Sequence, residues 1–412
     1  MTAVSTTVRP IIWHPDGRRV LRCEDGWPAL ELREDQGIAQ GMRANWNLVA
    51  WLLHGGGLSV GHHEQPRLQL LSEEIPDGMC WVDMEVLPLP NARPWQLPSW
   101  PSQAQKRLDS TLGTSGLRKL DDLSVGDVND LACVMWAATD KGAVYLKVSD
   151  SPREAAVTEY LSKTLPDLLP PVLWVDPSSN SLLTLSGGKL LDMVSELDAW
   201  TEAARRLAHF QQNADAHALA ALGCPAFPLL EMAGRVDSFL ADLNTLRAWG
   251  LEESCLETLC AARPAIRTAF ADLAALNLPD LPAHGDAHPR NALSGQRGAV
   301  WFDWAETASA AHPFMDMGWF LAFTFDPAGV ELPIRTAYPD LEKRLIEAYL
   351  SALGCVDAAS LLSSAVPLAL LHRAVVYDAR FRNWEGTLPG WRPNFVPYYL
   401  RLAARELARL PS

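Results

Sequence analysis

The chain is poor in basic residues: 35 Lys and Arg stand against 49 Asp and Glu, for a formal net charge of −14. That balance argues against a nucleic-acid or anionic-membrane partner, which needs clustered Lys and Arg. Residues 1–10 carry neither the basic start nor the apolar run of a secretory leader. No stretch reads as the roughly 20 apolar residues that span a bilayer. The seven cysteines, Cys23, Cys80, Cys133, Cys224, Cys255, Cys260 and Cys355, are scattered and form no Cys-x-x-Cys pair. They read as reduced thiols in a cytoplasmic protein. Internal repeats and low-complexity tracts are also missing. Oligomeric state is not written in the sequence.

What is present is an ordinary globular composition, with 48% hydrophobic and 20% charged residues, which excludes wholesale disorder. A chain of 412 residues exceeds what one core supports, so two or three units are expected. Residues 1–90 read as a small α/β accessory domain. It has strands at 8–13 and 19–23 around the turn His14-Pro15-Asp16-Gly17, a helix at 44–53 and a strand at 80–87. Residues 91–116 read as a Pro-rich linker and a helix at 103–112. A unit at 117–190 has two strands, 131–137 and 143–148, joined by the hairpin turn Thr139-Asp140-Lys141-Gly142. A helix at 152–161 and strands at 173–175 and 181–185 follow. From 191 to 412 helical spacing dominates, at 198–222, 229–248, 341–353, 358–380 and 396–410, with Pro367 a kink or break.

One non-helical interruption in that last region holds the chemistry. It reads His284-Gly285-Asp286-Ala287-His288-Pro289-Arg290-Asn291, then two apolar segments around Ser294-Gly295-Gln296-Arg297-Gly298, ending in Asp303. The turn sequence predicts a hairpin centred near Gln296, so Asn291 and Asp303 fall at its open end. Asp286 lies just before, on a loop shaped by Gly285 and Pro289. Two carboxylates and an amide oxygen are hard donors of the kind that suit Mg²⁺. Other clusters carry less. His62-His63-Glu64 has no second cluster to complete a metal site and reads as a solvated loop. The face with Asp198, Glu202, Arg205 and Arg206 reads as a solvated helix surface. Ser186-Gly187-Gly188 lacks the Lys-Ser/Thr pair of a phosphate-binding loop.

The catalytic segment resembles the signature of the aminoglycoside phosphotransferase and choline kinase-like family, His-Gly-Asp-x-His-x-x-Asn followed by an apolar strand ending in Asp. The resemblance covers residues 117 to about 390. It implies an α+β, two-lobed protein-kinase-like fold, with a small β-rich lobe at 117–190 and a helical lobe at 191–412, here preceded by the accessory domain. It implies that Asp286 orients or deprotonates an acceptor hydroxyl, and that Asn291 and Asp303 hold the Mg²⁺ ions bridging the phosphates of ATP. His284 is implied to be structural, His288 supporting, and Asp316 a brace at a helix start. Tyr145-Leu146-Lys147-Val148 resembles the strand of the nucleotide-binding lysine, Lys147. Glu154 resembles its helix partner, with Glu159 as competitor. Backbone groups of Thr184, Leu185 and Ser186 are implied to meet the adenine.

Two departures stand beside the resemblance. The phosphate-covering segment, Leu123 to Asp130, has one glycine, Gly126, and two carboxylates, Asp127 and Asp130, that oppose phosphate unless turned away. Residues 1–90 lie outside the match; their layout resembles a degenerate Nudix-like domain without its Arg-Glu and Glu-Glu box. The leading reading is an ATP- and Mg²⁺-dependent kinase of a small-molecule hydroxyl, an aminoglycoside or another aminated or sugar-like acceptor among them. Its contacts are sought at Asp378, Trp384 and Glu385. The alternative is a catalytically weak or inactive kinase-like nucleotide-binding or scaffold protein.

Overall fold

The computed structural model describes residues 5–33, 38–48, 50–54, 58–59, 62–63, 67–70, 73–83, 92–98, 100–121, 123–325, 332–382 and 395–408. They form two compact units. One gathers described residues of 1–150 with Ser181–Thr184; the other gathers Ser151–Asn180 and described residues from 185 onward.

The first unit opens on a mixed sheet in the order Ala50–His54, Arg67–Leu70, Ile11–Trp13, Arg19–Cys23, Met79–Asp83. Ile11–Trp13 runs parallel to Arg67–Leu70, and the other neighbours are antiparallel. Ile12, Leu21, Leu30, Met42, Leu68 and Leu70 are fully buried at its core. The expected turn at His14 forms: Gly17 takes φ +70°, and Asp16 Oδ1 accepts from the N–H of Arg18 at 2.8 Å. The expected helix at 44–53 is wrong. The helix is Ile38–Trp46, closed by Asn47 at φ +54°, and Ala50–His54 is a strand recruited by Arg67–Leu70. Residues 91 and 99 of the Pro-rich stretch lie outside the described residues.

The rest of that stretch is tied down. Trp95 is buried in the short turn Pro94–Gln96, and its Nε1 donates to Asn129 O at 2.8 Å. Helix Trp100–Thr114 follows. The same unit carries the strands Ser124–Val128, Ala132–Thr139 and Gly142–Ser149 and residues Ser181–Thr184 of the strand Ser181–Leu185, neighbours in that order. The predicted hairpin pairs Thr139 with Gly142 and Lys147 with Val134. Alternation then buries Val144, Leu146 and Val148 and sends Lys147 to the opposite face.

The second unit is mainly helical. Glu154–Thr164 comes first, then Leu197–Asn213, Leu229–Ala241, Glu253–Ala275, Phe314–Phe325, Leu341–Leu353, Ala359–Phe381 and Phe395–Leu407. Pro367 neither breaks nor ends its helix, because the helix is continuous from Ala359 to Phe381. Of the kink or break expected at Pro367, the break is therefore absent. The segment Val356–Phe381 contains an 18-residue window of mean hydropathy 1.5 and is long and apolar enough by composition to cross a bilayer, although no such stretch was expected. Some 61% of its most apolar window is buried inside the protein, as in a core helix, and it carries the buried Arg373 and Asp378.

Two three-stranded sheets interrupt the helices. One orders Lys189–Leu190, Ala292–Gly295 and Gly298–Trp301; the other orders Ala226–Phe227, Ala308–Ala311 and Leu281–Ala283. The chain passes from the second to the first through residues 284–291, and that crossing holds the catalytic motif. The element order from 123 to 312, a lysine-bearing hairpin, a helix, two strands and a helical region interrupted by a second hairpin, is the α+β order that the family resemblance implies.

Candidate active site

The predicted hairpin forms, with Ala292 opposite Trp301 and Gly295 opposite Gly298. Phe302 N–H donates to Asn291 O at 3.0 Å, so Asn291 and Asp303 meet at the open end. Asn291 Nδ2 donates to Asp286 O at 2.9 Å and reaches Asp286 Oδ2 at 3.3 Å. Those bonds occupy the amide's donors and leave its oxygen as the group suited to a cation. Asp303 adopts φ 64°, ψ 63°, a left-handed conformation that Asp tolerates better than most residues.

Asp316, at the start of helix Phe314–Phe325, braces the loop as expected. Its two oxygens accept from the N–H of His284 at 2.7 Å and of Gly285 at 2.9 Å. Burial pushes its carboxyl pKa up, against the lowering by His284 and these N–H groups. Gln211 Nε2 adds a contact at 3.4 Å, and Tyr349 OH holds Gln211 Oε1 at 2.6 Å. His284 is fully buried between Trp301 and Trp304, with ring centroids 5.4 and 4.5 Å away. Its Nε2 faces Phe302 O at 3.0 Å and its Nδ1 accepts from Asp286 N–H at 3.3 Å. Burial lowers its pKa despite three nearby aspartates, so the ring is neutral and structural. His288 stacks on Phe323 at 5.1 Å, caps Arg290 N–H through Nδ1, and lies 3.7 Å from Asp286 Oδ2.

The contacts that sequence reasoning missed come from two helices, Ala359–Phe381 and Phe314–Phe325. Arg373, 5% exposed, places Nη2 2.9 Å from Asp286 Oδ1 and donates from Nη1 to Gly285 O at 2.7 Å. Trp319 Nε1 donates to the same Asp286 Oδ1 at 3.1 Å. The guanidinium lies over the rings of Tyr377 and Trp319, 4.7 and 5.4 Å from their centroids. Glu306 Oε2 stands 3.8 Å from Arg373 and pairs through Oε1 with Arg380. Burial would lower the guanidinium pKa, but Asp286, Tyr377 and Glu306 outweigh it and hold the charge firmly in place. A cavity of about 30 Å³ behind the loop is lined by Gly285, Glu306, Asp316, Trp319 and Arg373, among others. The signal existed in sequence: an arginine inside the apolar run 368–376 must be paired when its helix is buried.

The nucleotide residues stand as follows. Lys147 is half-buried on Gly142–Ser149, and Glu154 is buried at the first turn of Glu154–Thr164. Glu159, the competing partner, pairs instead with Lys163 at 2.7 Å on an exposed face. Thr184 and Leu185 end their strand, and Ser186 follows. Leu185 N–H donates to Pro171 O at 2.8 Å, so it is spent as a donor to a base. Gly187 and Gly188 serve packing: a Cβ on Gly188 would lie 2.0 Å from Ser294 O.

The segment expected to cover phosphate is largely a strand, Ser124–Val128, bulged between Val125 and Asp127. Its turn is fixed by Asn129 Oδ1, which accepts from Leu131 N–H at 2.9 Å, and by Asp130 Oδ1, which accepts from Gln96 Nε2 at 2.5 Å. Asp130 is thus engaged within its own unit; the Asp127 side chain lies outside the described residues. Asp378 accepts from Trp249 Nε1 at 2.7 Å and pairs with Arg382. Trp384, Glu385, Glu64 and the side chains of His62 and His63 lie outside the described residues. Among the described residues no three His, Cys, Asp or Glu gather as a metal cage. Asn291 and Asp303 offer hard oxygen donors too few for a closed transition-metal site, a set of the kind that would suit Mg²⁺ completed by phosphates.

No protein-family profile matches this chain. No curated protein matches it either. Among solved structures it is similar to a macrolide 2'-phosphotransferase from Brachybacterium faecium, at TM-score 0.45 and 17% identity over 75% of this chain and 99% of that one. It is similar to a choline kinase from Streptococcus pneumoniae, at TM-score 0.49 and 14% identity over 75% and 100%. The GDP complex of aminoglycoside 2'-phosphotransferase-IIIa gives TM-score 0.48 and 13% identity over 74% and 98%.

Proposed function

We propose that the protein is an ATP- and Mg²⁺-dependent phosphotransferase that moves a γ-phosphoryl group to a hydroxyl of a small molecule in the cytoplasm. The observation that carries this reading is the grouping of Asp286, Asn291 and Asp303 on one loop and hairpin that Asp316 and His284 hold rigid. Bound Mg²⁺ would offset charge on the phosphates. Asn291 and Asp303 supply its oxygen donors, and Lys147 supplies a positive charge for the α- and β-phosphates. Asp286 accepts a hydrogen bond from the acceptor hydroxyl and takes its proton as that oxygen bonds to phosphorus. The bond from phosphorus to the β–γ bridging oxygen breaks, and ADP leaves with the electron pair. Chemistry of this type rests on positioning and electrostatics, so few residues suffice.

The net charge of −14 supports an aminated acceptor. The glycine-poor, tied-down turn at 129–131 supports the second reading, a nucleotide-binding protein with little turnover. An ADP-release screen with Mg-ATP over aminoglycosides, amino alcohols, sugars and nucleosides separates the two. Acceptor-dependent ADP release supports transfer. Mg-ATP binding without ADP release for any acceptor supports the second reading. Lys147→Ala should raise the KM for ATP about tenfold or more with the fold intact, and an unchanged KM removes Lys147 from the site.

A further inference from the structure

Asp286 is held from behind more tightly than a hydrogen-bonding loop requires. A free aspartate carboxylate swings about its last torsion, which is broad rather than sharply staggered. Here Oδ1 accepts a hydrogen bond from Trp319 Nε1 at 3.1 Å and forms an ion pair with Arg373 Nη2 at 2.9 Å, the two side chains coming from different helices. The second arm of the guanidinium holds the neighbouring carbonyl, Gly285 O, at 2.7 Å. One planar group therefore fixes both the backbone and the carboxylate of the same turn, a two-point hold that a point charge such as Lys does not reproduce. The guanidinium is itself fixed, by the Tyr377 and Trp319 rings and by Glu306 at 3.8 Å.

We propose that Arg373 and Trp319 are positioning residues that lock Asp286 Oδ1, so that the acceptor hydroxyl meets Oδ2. The hydrogen bond from Trp319 and the ion pair with Arg373 together turn Oδ1 toward the protein. The carboxylate plane is set before an acceptor arrives, which is the kind of prepaid orientation that raises the transfer rate without tightening nucleotide binding. The inference rests on the phosphotransfer reading. It goes beyond it in giving the two carboxylate oxygens different tasks and assigning the agents that enforce them.

The test uses the full chain with Mg-ATP, first with water as acceptor and then with the hydroxyl panel. Mg-ATP binding is measured by calorimetry beside ADP release, so that absent nucleotide binding in the parent protein counts against the phosphotransfer reading itself. Arg373→Gln and Trp319→Phe should each lower kcat, the first about tenfold or more and the second several-fold, while KM and Kd for Mg-ATP stay within about twofold. Arg373→Lys should recover only part of the rate. In Arg373→Ala, which enlarges the existing 30 Å³ cavity, added guanidinium should restore turnover where ammonium does not. Trp319→Phe keeps the ring and loses one donor, so it remains informative should the arginine variants unfold. Unchanged kcat in Trp319→Phe and Arg373→Gln overturns the proposal, as does a loss of Mg-ATP binding equal to the loss of rate. A parent protein that binds Mg-ATP but releases no ADP overturns it too.

Discussion

Asp303 and Asp286 are both carboxylates of one motif, yet their surroundings ask different things of them. Asp303 stands at φ 64°, where Asn is tolerated about as well as Asp and most other side chains are strained. Asp303→Asn is therefore a nearly pure change of charge. It should weaken Mg-ATP binding about tenfold or more and remove turnover with it. Asp286→Asn keeps an oxygen for Trp319 and Arg373, and Glu306 remains near the guanidinium, so the fold should survive at a cost of about 1–3 kcal/mol. Its Mg-ATP affinity should stay close to the parent's while turnover falls about 10²–10⁴-fold. Calorimetry and ADP release on the two variants check this. The reverse pattern would mean that the roles are swapped.

At the scale of the element, the contact between Gly188 and the catalytic hairpin decides whether the hairpin seats. Gly188 takes φ +143°, and a Cβ there would lie 2.0 Å from Ser294 O, in a strand that pairs Lys189 with Ser294. Gly188→Ala should therefore cost about 3 kcal/mol or more, combining backbone strain with overpacking. Gly187→Ala should cost less, since its nearest neighbour is a Val300 methyl that can give way. Urea midpoints of the two variants rank them; equal midpoints would show that the close approach is not what Gly188 is for. The same contact explains why sequence alone read Ser186-Gly187-Gly188 only as a failed phosphate loop. The catalytic hairpin was legible because its turn residues and apolar flanks act over a dozen neighbouring positions. The grip of Arg373 on Asp286 was not, since 87 positions separate them and only packing brings them together. Ala50–His54 misled for a related reason: its apolar run suits either helix or strand, and pairing with Arg67–Leu70 decided it.

For the molecule as a whole, the helical unit stores a dependence on acidity in two buried histidines, of which His372 lines the cavity beside Gly285 and Arg373. His312, 1% exposed, has its pKa lowered by burial to about 4, and its Nε2 has no hydrogen-bond partner. His372 lies against Phe227, and burial, with the Arg373 and Arg235 charges, lowers its pKa to about 3. Unfolded, each ring titrates near 6.5. Below that pH the unfolded chain takes up protons that the folded one refuses, so the stabilisation is complete above about pH 6.5 and declines as pH falls. The decline due to His312 ends near pH 4 and that due to His372 near pH 3. Within the window each contributes a slope of about 1.4 kcal/mol per pH unit. Asp316 acts in the opposite sense, because a buried carboxyl with a raised pKa favours the folded state as pH drops toward its ordinary value of 3.8. The histidine slopes should dominate between pH 6 and pH 5, where stability measured by urea should fall steeply. His372→Phe keeps a ring against Phe227 and cannot take up the proton. Its stability should lie close to the parent's at pH 7 and exceed it increasingly on acidification, by about one proton's slope. Parallel curves for the two proteins would mean that His372 titrates alike in both states and that the acid sensitivity lies elsewhere.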